Sequence, residues 1–166
     1  MDAQMINELM SILEQEARVF DDVLRISKNK TNLITGGKVN ELENIVKLEQ
    51  ALVLQMGRLE NRREELVSQI SDQIKIKPSE ITVTQIAKLL ENDQTDKLIK
   101  LQNRINNLIN ELKNTNDLNS KLIKNSLEYI DFSINLMAGM GPVNNNYGST
   151  GQIGDAKKRN FFDMKL

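Results

Sequence analysis

Apolar residues return at helical intervals over most of the chain. Near the N-terminus Ile6, Leu9, Leu13, Ala17, Phe20 and Leu24 recur at steps of three and four. That spacing places them on one face of a helix running to about Leu33 or Ile34. Thr35-Gly36-Gly37-Lys38 then breaks the pattern, because adjacent glycines suit a helix end and a tight reversal. Val39, Leu42, Val46, Val53, Met56, Leu59, Leu66 and Ile70 resume it near the repeat of a coiled coil. They predict a second helix of similar length over 40–70, with Glu49 at one seam position beside Leu48 and Leu52. Lys77-Pro78-Ser79 interrupts it, since proline biases its predecessor away from the helix and cannot sit in a helix interior. A short helix is expected from Thr82 or Thr84 to Leu90, with Ile86, Leu89 and Leu90 apolar. The cluster Asn92-Asp93-Gln94-Thr95-Asp96 reads as a loop ending in an N-cap.

The third long helix has the cleanest repeat: Leu98, Leu101, Ile105, Leu108 and Leu112. Continued in strict register, the same positions become Thr115, Asn119, Leu122, Ser126 and Tyr129, and the stripe fades. A shifted stripe takes over through Leu118, Leu122, Ile123, Leu127, Ile130, Ile134 and Met137. Two readings are open: a stutter that serves the same core from a new angle, or a face left for a partner helix. Gly139, Gly141 and Pro142 end the helical pattern, and no alternation of the strand type competes with it. The expectation is an all-α fold: an elongated antiparallel bundle of three long helices plus one short helix, with a flexible C-terminal tail. The bundle domain is placed at 1–138 and the tail, rich in Gly and Asn, at 139–166.

Composition removes most chemistry. Among 166 residues there is no His, Cys or Trp, and the formal net charge is −1. No thiol nucleophile, disulfide or imidazole base exists. Paired acids such as Asp21/Asp22, Glu41/Glu43 and Glu64/Glu65 lie on polar helix faces rather than in the sheltered clefts that carboxylate catalysis uses. A di-iron bundle would need Glu-x-x-His, which this chain lacks. No phosphate-cradling glycine loop occurs. The reading is therefore no enzyme, no metal and no cofactor. Charge balance gives no support to a nucleic-acid partner; Lys157-Lys158-Arg159 beside Phe161-Phe162 is too small a basic cluster. No apolar run reaches the roughly 20 residues that cross a bilayer, and the start Met1-Asp2-Ala3-Gln4 has no signal-peptide character. A cytoplasmic protein without direct membrane insertion is expected.

Aromatics make up only 4% of the chain, yet Tyr147 stands in the segment Asn144-Asn145-Asn146-Tyr147-Gly148-Ser149-Thr150-Gly151-Gln152. That segment cannot build a core of its own, so its tyrosine is a candidate anchor for a partner. The alternatives are a ring folded back on the helices and a tail without a role.

Three stretches together resemble the flagellar FlgN-type export chaperones, which handle the hook–filament junction proteins before type III secretion. They are Leu59-Glu60-Asn61-Arg62-Arg63, similar to Leu-Glu-x-x-Arg-Arg; the run from Asn119 to Leu127, similar to Asn-x-x-Leu-Leu; and Tyr147-Gly148-Ser149-Thr150-Gly151-Gln152, which matches Tyr-Gly-x-x-Gly-Gln. The resemblance implies that the last helix binds the C-terminal helical segment of junction proteins of the FlgK and FlgL kind. Leu118, Leu122, Ile123, Leu127, Ile130, Ile134 and Met137 would form the contact. It further implies that Tyr147, Gly148, Gly151 and Gln152 dock on the cytosolic domain of the export gate protein FlhA. Arg62 and Arg63 are read as ion pairs within the bundle. The rival from another class is a structural coiled-coil adaptor or scaffold that self-associates through the same stripes; a homodimer is compatible with either.

Overall fold

A computed structural model describes residues 3–139. It contains α1 (Ala3–Thr35), α2 (Val39–Ile74), a 3-10 turn at Pro78–Glu80, α3 (Val83–Ala87) and α4 (Asn92–Gly139). Among the described residues the regular structure is all helical, with no strand. By contacts the chain divides after Ile123, so that α1 to α3 and α4 as far as Ile123 form one unit and 124–139 belong to a second.

In the first unit α1 and α2 form an antiparallel hairpin. The reversal is a Schellman motif: Lys38 N–H donates to Leu33 O at 2.9 Å and Gly37 N–H to Ile34 O at 3.1 Å. Gly37 takes φ +65°, a conformation that favours glycine. Helix α2 continues to Ile74, four residues past the predicted end at Ile70. Its left-handed C-cap is Lys75, not the glycine that a sequence would signal. Ser71 Oγ donates to Ile76 O across that end.

Helix α3 stops at Ala87, short of the predicted Leu90. Its start is a capping box in which Thr82 Oγ1 accepts from Gln85 N–H and Gln85 Oε1 accepts from Thr82 N–H. The cluster expected to be a loop, Asn92 to Asp96, is instead the first turn of α4. Cap-favouring residues are also tolerated in a first turn. Asp93 lies where a carboxylate meets the positive helix end, and it pairs with Lys97 at 2.7 Å. Lys97 beside it holds the Asp93 carboxyl below its ordinary range, and Asp93 in turn raises the Lys97 ammonium.

Two clusters form the core. In the first, Ile6, Leu9 and Ile12 of α1 meet Leu66 and Ile70 of α2, Ile86 of α3 and Leu98 of α4. In the second, Ala17 and Leu24 of α1 meet Leu101 and Leu108 of α4. Ascending numbers on α1 meet ascending numbers on α4, so α4 runs parallel to α1 in this unit. Helix α1 is flanked by two helices and buries a wider arc than the predicted stripe, adding Ile12 and Val19.

Ion pairs tie α2 to α1, as expected for the two arginines. Arg62 reaches Glu8 through Nε at 3.2 Å and through a terminal guanidinium nitrogen at 2.7 Å, and Arg63 reaches Glu16 at 2.9 Å. Glu49, polar at an apolar seam position, is matched by Lys30 of α1, both half-buried.

Candidate functional site

The contact of α4 with α1 changes character along its length. After Leu112 the contact turns polar, yet α4 still faces α1. Ser27 Oγ donates to Asn116 Oδ1 at 2.6 Å, and Thr31 Oγ1 donates to Asn119 Oδ1 at 2.6 Å. Asn119 Nδ2 donates to Ser27 O at 2.8 Å and to Ser27 Oγ at 3.3 Å. Ser27 and Asn119 are both buried. The amide therefore has partners for three of its four hydrogen-bonding sites.

This polar seam fixes α4 in one register, because a slip would leave buried polar groups unpaired. Replacing Asn119 with Ala is expected to destabilise the chain by about 1–2 kcal/mol, within the range for a lost buried hydrogen-bonding group. The value stays moderate because Thr31 Oγ1 retains Ser27 O at 3.3 Å as an acceptor. Urea denaturation of the two proteins measures it; an unchanged midpoint would show that the seam adds nothing.

The seam also settles what the apolar shift on α4 does inside the first unit. The original register still packs on α1 as far as Asn119, so the shifted residues do not serve that core. Leu118 and Ile123 are exposed there and Leu122 is half-buried. In the second unit Leu127, Ile130, Ile134 and Met137 are all exposed, from 41% for Ile134 to 74% for Met137. Tyr129, Phe132 and Leu136 are exposed with them. From the sequence Tyr129 figures only in the fading stripe and Phe132 and Leu136 in none, although the spacing of the three is itself a signal. The candidate docking residues Tyr147, Gly148, Gly151 and Gln152 lie outside the described residues, as do Lys157 to Phe162.

Among the described residues no group of three or more acidic, His or Cys side chains could hold a metal ion. No helix among them is long and apolar enough to cross a membrane. Buried Glu16 is matched by Arg63. The surface that stands out is carbon on the last turns of α4, and what such a surface does is adhere to another chain.

An apolar helix surface exposed among the described residues is what a protein-binding module presents. Comparison with known proteins gives the particular one: the family model described as FlgN protein matches residues 1–154, and the chain belongs to that family, the FlgN-type flagellar export chaperones. It is also similar to the uncharacterized protein YvyG of Bacillus subtilis (strain 168), 23% identical over 162 residues that cover 93% of this chain and 97% of the relative. No solved structure matches.

Proposed function

We propose that this chaperone binds the C-terminal helical segment of hook–filament junction proteins of the FlgK and FlgL kind. It keeps their assembly surface covered in the cytoplasm and delivers them to the export gate protein FlhA. The work is binding, with no catalysis, metal or cofactor. Leu127, Ile130, Ile134 and Met137 take the client helix, with Ile123 as the approach along α4; Leu118 and Leu122 fall about 100° or more round the helix from the centre of that face. Residues 1–138 act as the client-holding domain. The segment 139–166 acts as the delivery arm, with Tyr147 as its anchor and Gly148, Gly151 and Gln152 shaping the chain around it. A homodimer is compatible with this reading and is not required by it.

The observation that carries it is the exposure of those four apolar residues at heptad spacing on one helix. Fully burying one Leu or Ile side chain stabilises a complex by about 1.5–3 kcal/mol, so several half-exposed ones suffice for a specific helix–helix contact. The test is calorimetry of the full chain with the C-terminal helical segment of a junction protein. Binding is expected for the unmodified chain and about 100-fold weaker binding for Leu127→Asp, because a carboxylate would be desolvated against carbon. Absence of binding by the unmodified chain to any junction protein overturns the client reading. Equal affinity of the variant moves the contact elsewhere. Tyr147→Ala should keep client binding and lose gate docking; a scaffold would be indifferent to that change.

A further inference from the structure

The last turns of α4 carry apolar side chains on two faces, and one partner helix covers only one of them. At about 100° per residue, Leu127, Ile130, Ile134 and Met137 fall within an arc of about 80°. Tyr129, Phe132 and Leu136 fall within a second arc whose centre lies about 150° from the first. Lys124, Glu128, Asp131 and Asn135 separate the arcs on one side, Ser126 and Ser133 on the other. A Lys124–Glu128 pair at 3.9 Å lies within that charged strip. Helices apolar on two faces are buried by two neighbours.

We propose that the second face is a self-association seam on which a second copy of this chain packs in parallel, leaving the first face open on both copies. The assignment of the first face to a client rests on the function proposed above; the pairing of the second face does not.

Four observations favour a second copy over an unrelated helix. First, on the single helix α4 the positions Leu118, Leu122, Asn125, Tyr129, Phe132 and Leu136 follow steps of four, three, four, three and four, which is an unbroken heptad seam. Second, Asn125 is the one polar member, and an apolar partner would leave its amide unpaired. A parallel copy in register sets Asn125 against Asn125, each able to donate and to accept. Third, one edge of the seam carries Lys121 and Glu128 and the other Ser126 and Ser133. In a parallel pair each charge faces a serine, and like charges do not meet. Fourth, Tyr129 and Phe132 are among the most exposed apolar residues described, at 71% and 64%. One heptad earlier the seam positions are Glu111 and Thr115, so the seam begins at Leu118 and stays short. A short seam with one Asn predicts a reversible dimer at micromolar concentration rather than a permanent one.

The chain has no cysteine, so Asn125→Cys, Phe132→Cys and Ile130→Cys each introduce a single thiol into the full-length protein. Oxidation at micromolar concentration should link the first two into covalent dimers, since parallel pairing brings their Cα atoms within the roughly 4.4–6.8 Å that a disulfide spans. Ile130→Cys, on the first face, should yield about tenfold less. Sedimentation equilibrium of the unmodified chain should show a monomer–dimer equilibrium. Tyr129→Glu should weaken it by about tenfold or more while its helical circular dichroism and its binding of a junction-protein segment persist. A monomer at all concentrations into the high micromolar range overturns the proposal. So does linkage through Ile130→Cys in preference to Asn125→Cys and Phe132→Cys. Failure of the client reading would show separately, as a protein that dimerises as described but binds no junction protein.

Discussion

Ile70→Ala is expected to lower the free energy of unfolding by about 3–4 kcal/mol, within the range for large-to-small changes at tightly packed sites. Ile70 is fully buried in the cluster where α1, α2, α3 and α4 all contribute side chains. Removing its outer carbons opens a cavity within this apolar cluster, and side chains held by four elements collapse into it only in part. The loss extends to α3. A helix of five residues has no stability of its own, and Ile86 attaches it to this same cluster. Urea denaturation gives the size of the change, and protection of the Ile86 and Ala87 amides from hydrogen exchange reports on α3. Val53→Ala is the contrasting change. Val53 is 64% exposed, and its truncation should alter stability by no more than about 0.5 kcal/mol. If the two variants unfold alike, the cluster is not the stabilising centre of the first unit.

The three long helices were legible because their apolar residues keep one period for many turns, and glycine and proline mark two of the breaks. Legibility failed where a structural signal used an unmarked residue. Lys75 ends α2 in a left-handed conformation without being glycine, and Asn92 to Asp96 carries loop-forming residues inside a helical turn. Each is a local preference overridden by its neighbours in the fold. Asn119 is the instructive case. Read alone it marks the fading of an apolar stripe, yet its partners Ser27 and Thr31 stand about 90 residues earlier, and no local pattern links them. Their pairing keeps the old face of α4 on α1 and so leaves the new apolar face exposed. Tyr129, Phe132 and Leu136 were obscured for a related reason: two interleaved heptads on one helix look like a single broad stripe until each residue is placed by its angle.

The Arg62-Arg63 pair separates what exposure does to an ion pair. Arg62 and Glu8 are both substantially exposed, and Arg62→Ala should cost no more than about 1 kcal/mol. Arg63 holds Glu16, whose side chain is only 8% exposed. Removing one member of a fully buried pair costs about 3–5 kcal/mol, because the remaining charge stays desolvated. Arg63 is itself 33% exposed. The pair also borders a cavity of about 340 Å³ whose other walls include Leu13, Phe20, Met56 and Ile105. Water entering there would relieve part of the penalty, so about 2–3 kcal/mol is expected for Arg63→Ala. If an unpaired carboxylate is the cause, neutralising it must restore stability. The double variant Glu16→Gln/Arg63→Ala should then be more stable than Arg63→Ala alone, by about 1 kcal/mol or more. Urea denaturation of the two single variants and the double variant closes the cycle. Strict additivity would assign the loss to the packing of the arginine stem across α1 and α2 rather than to its charge.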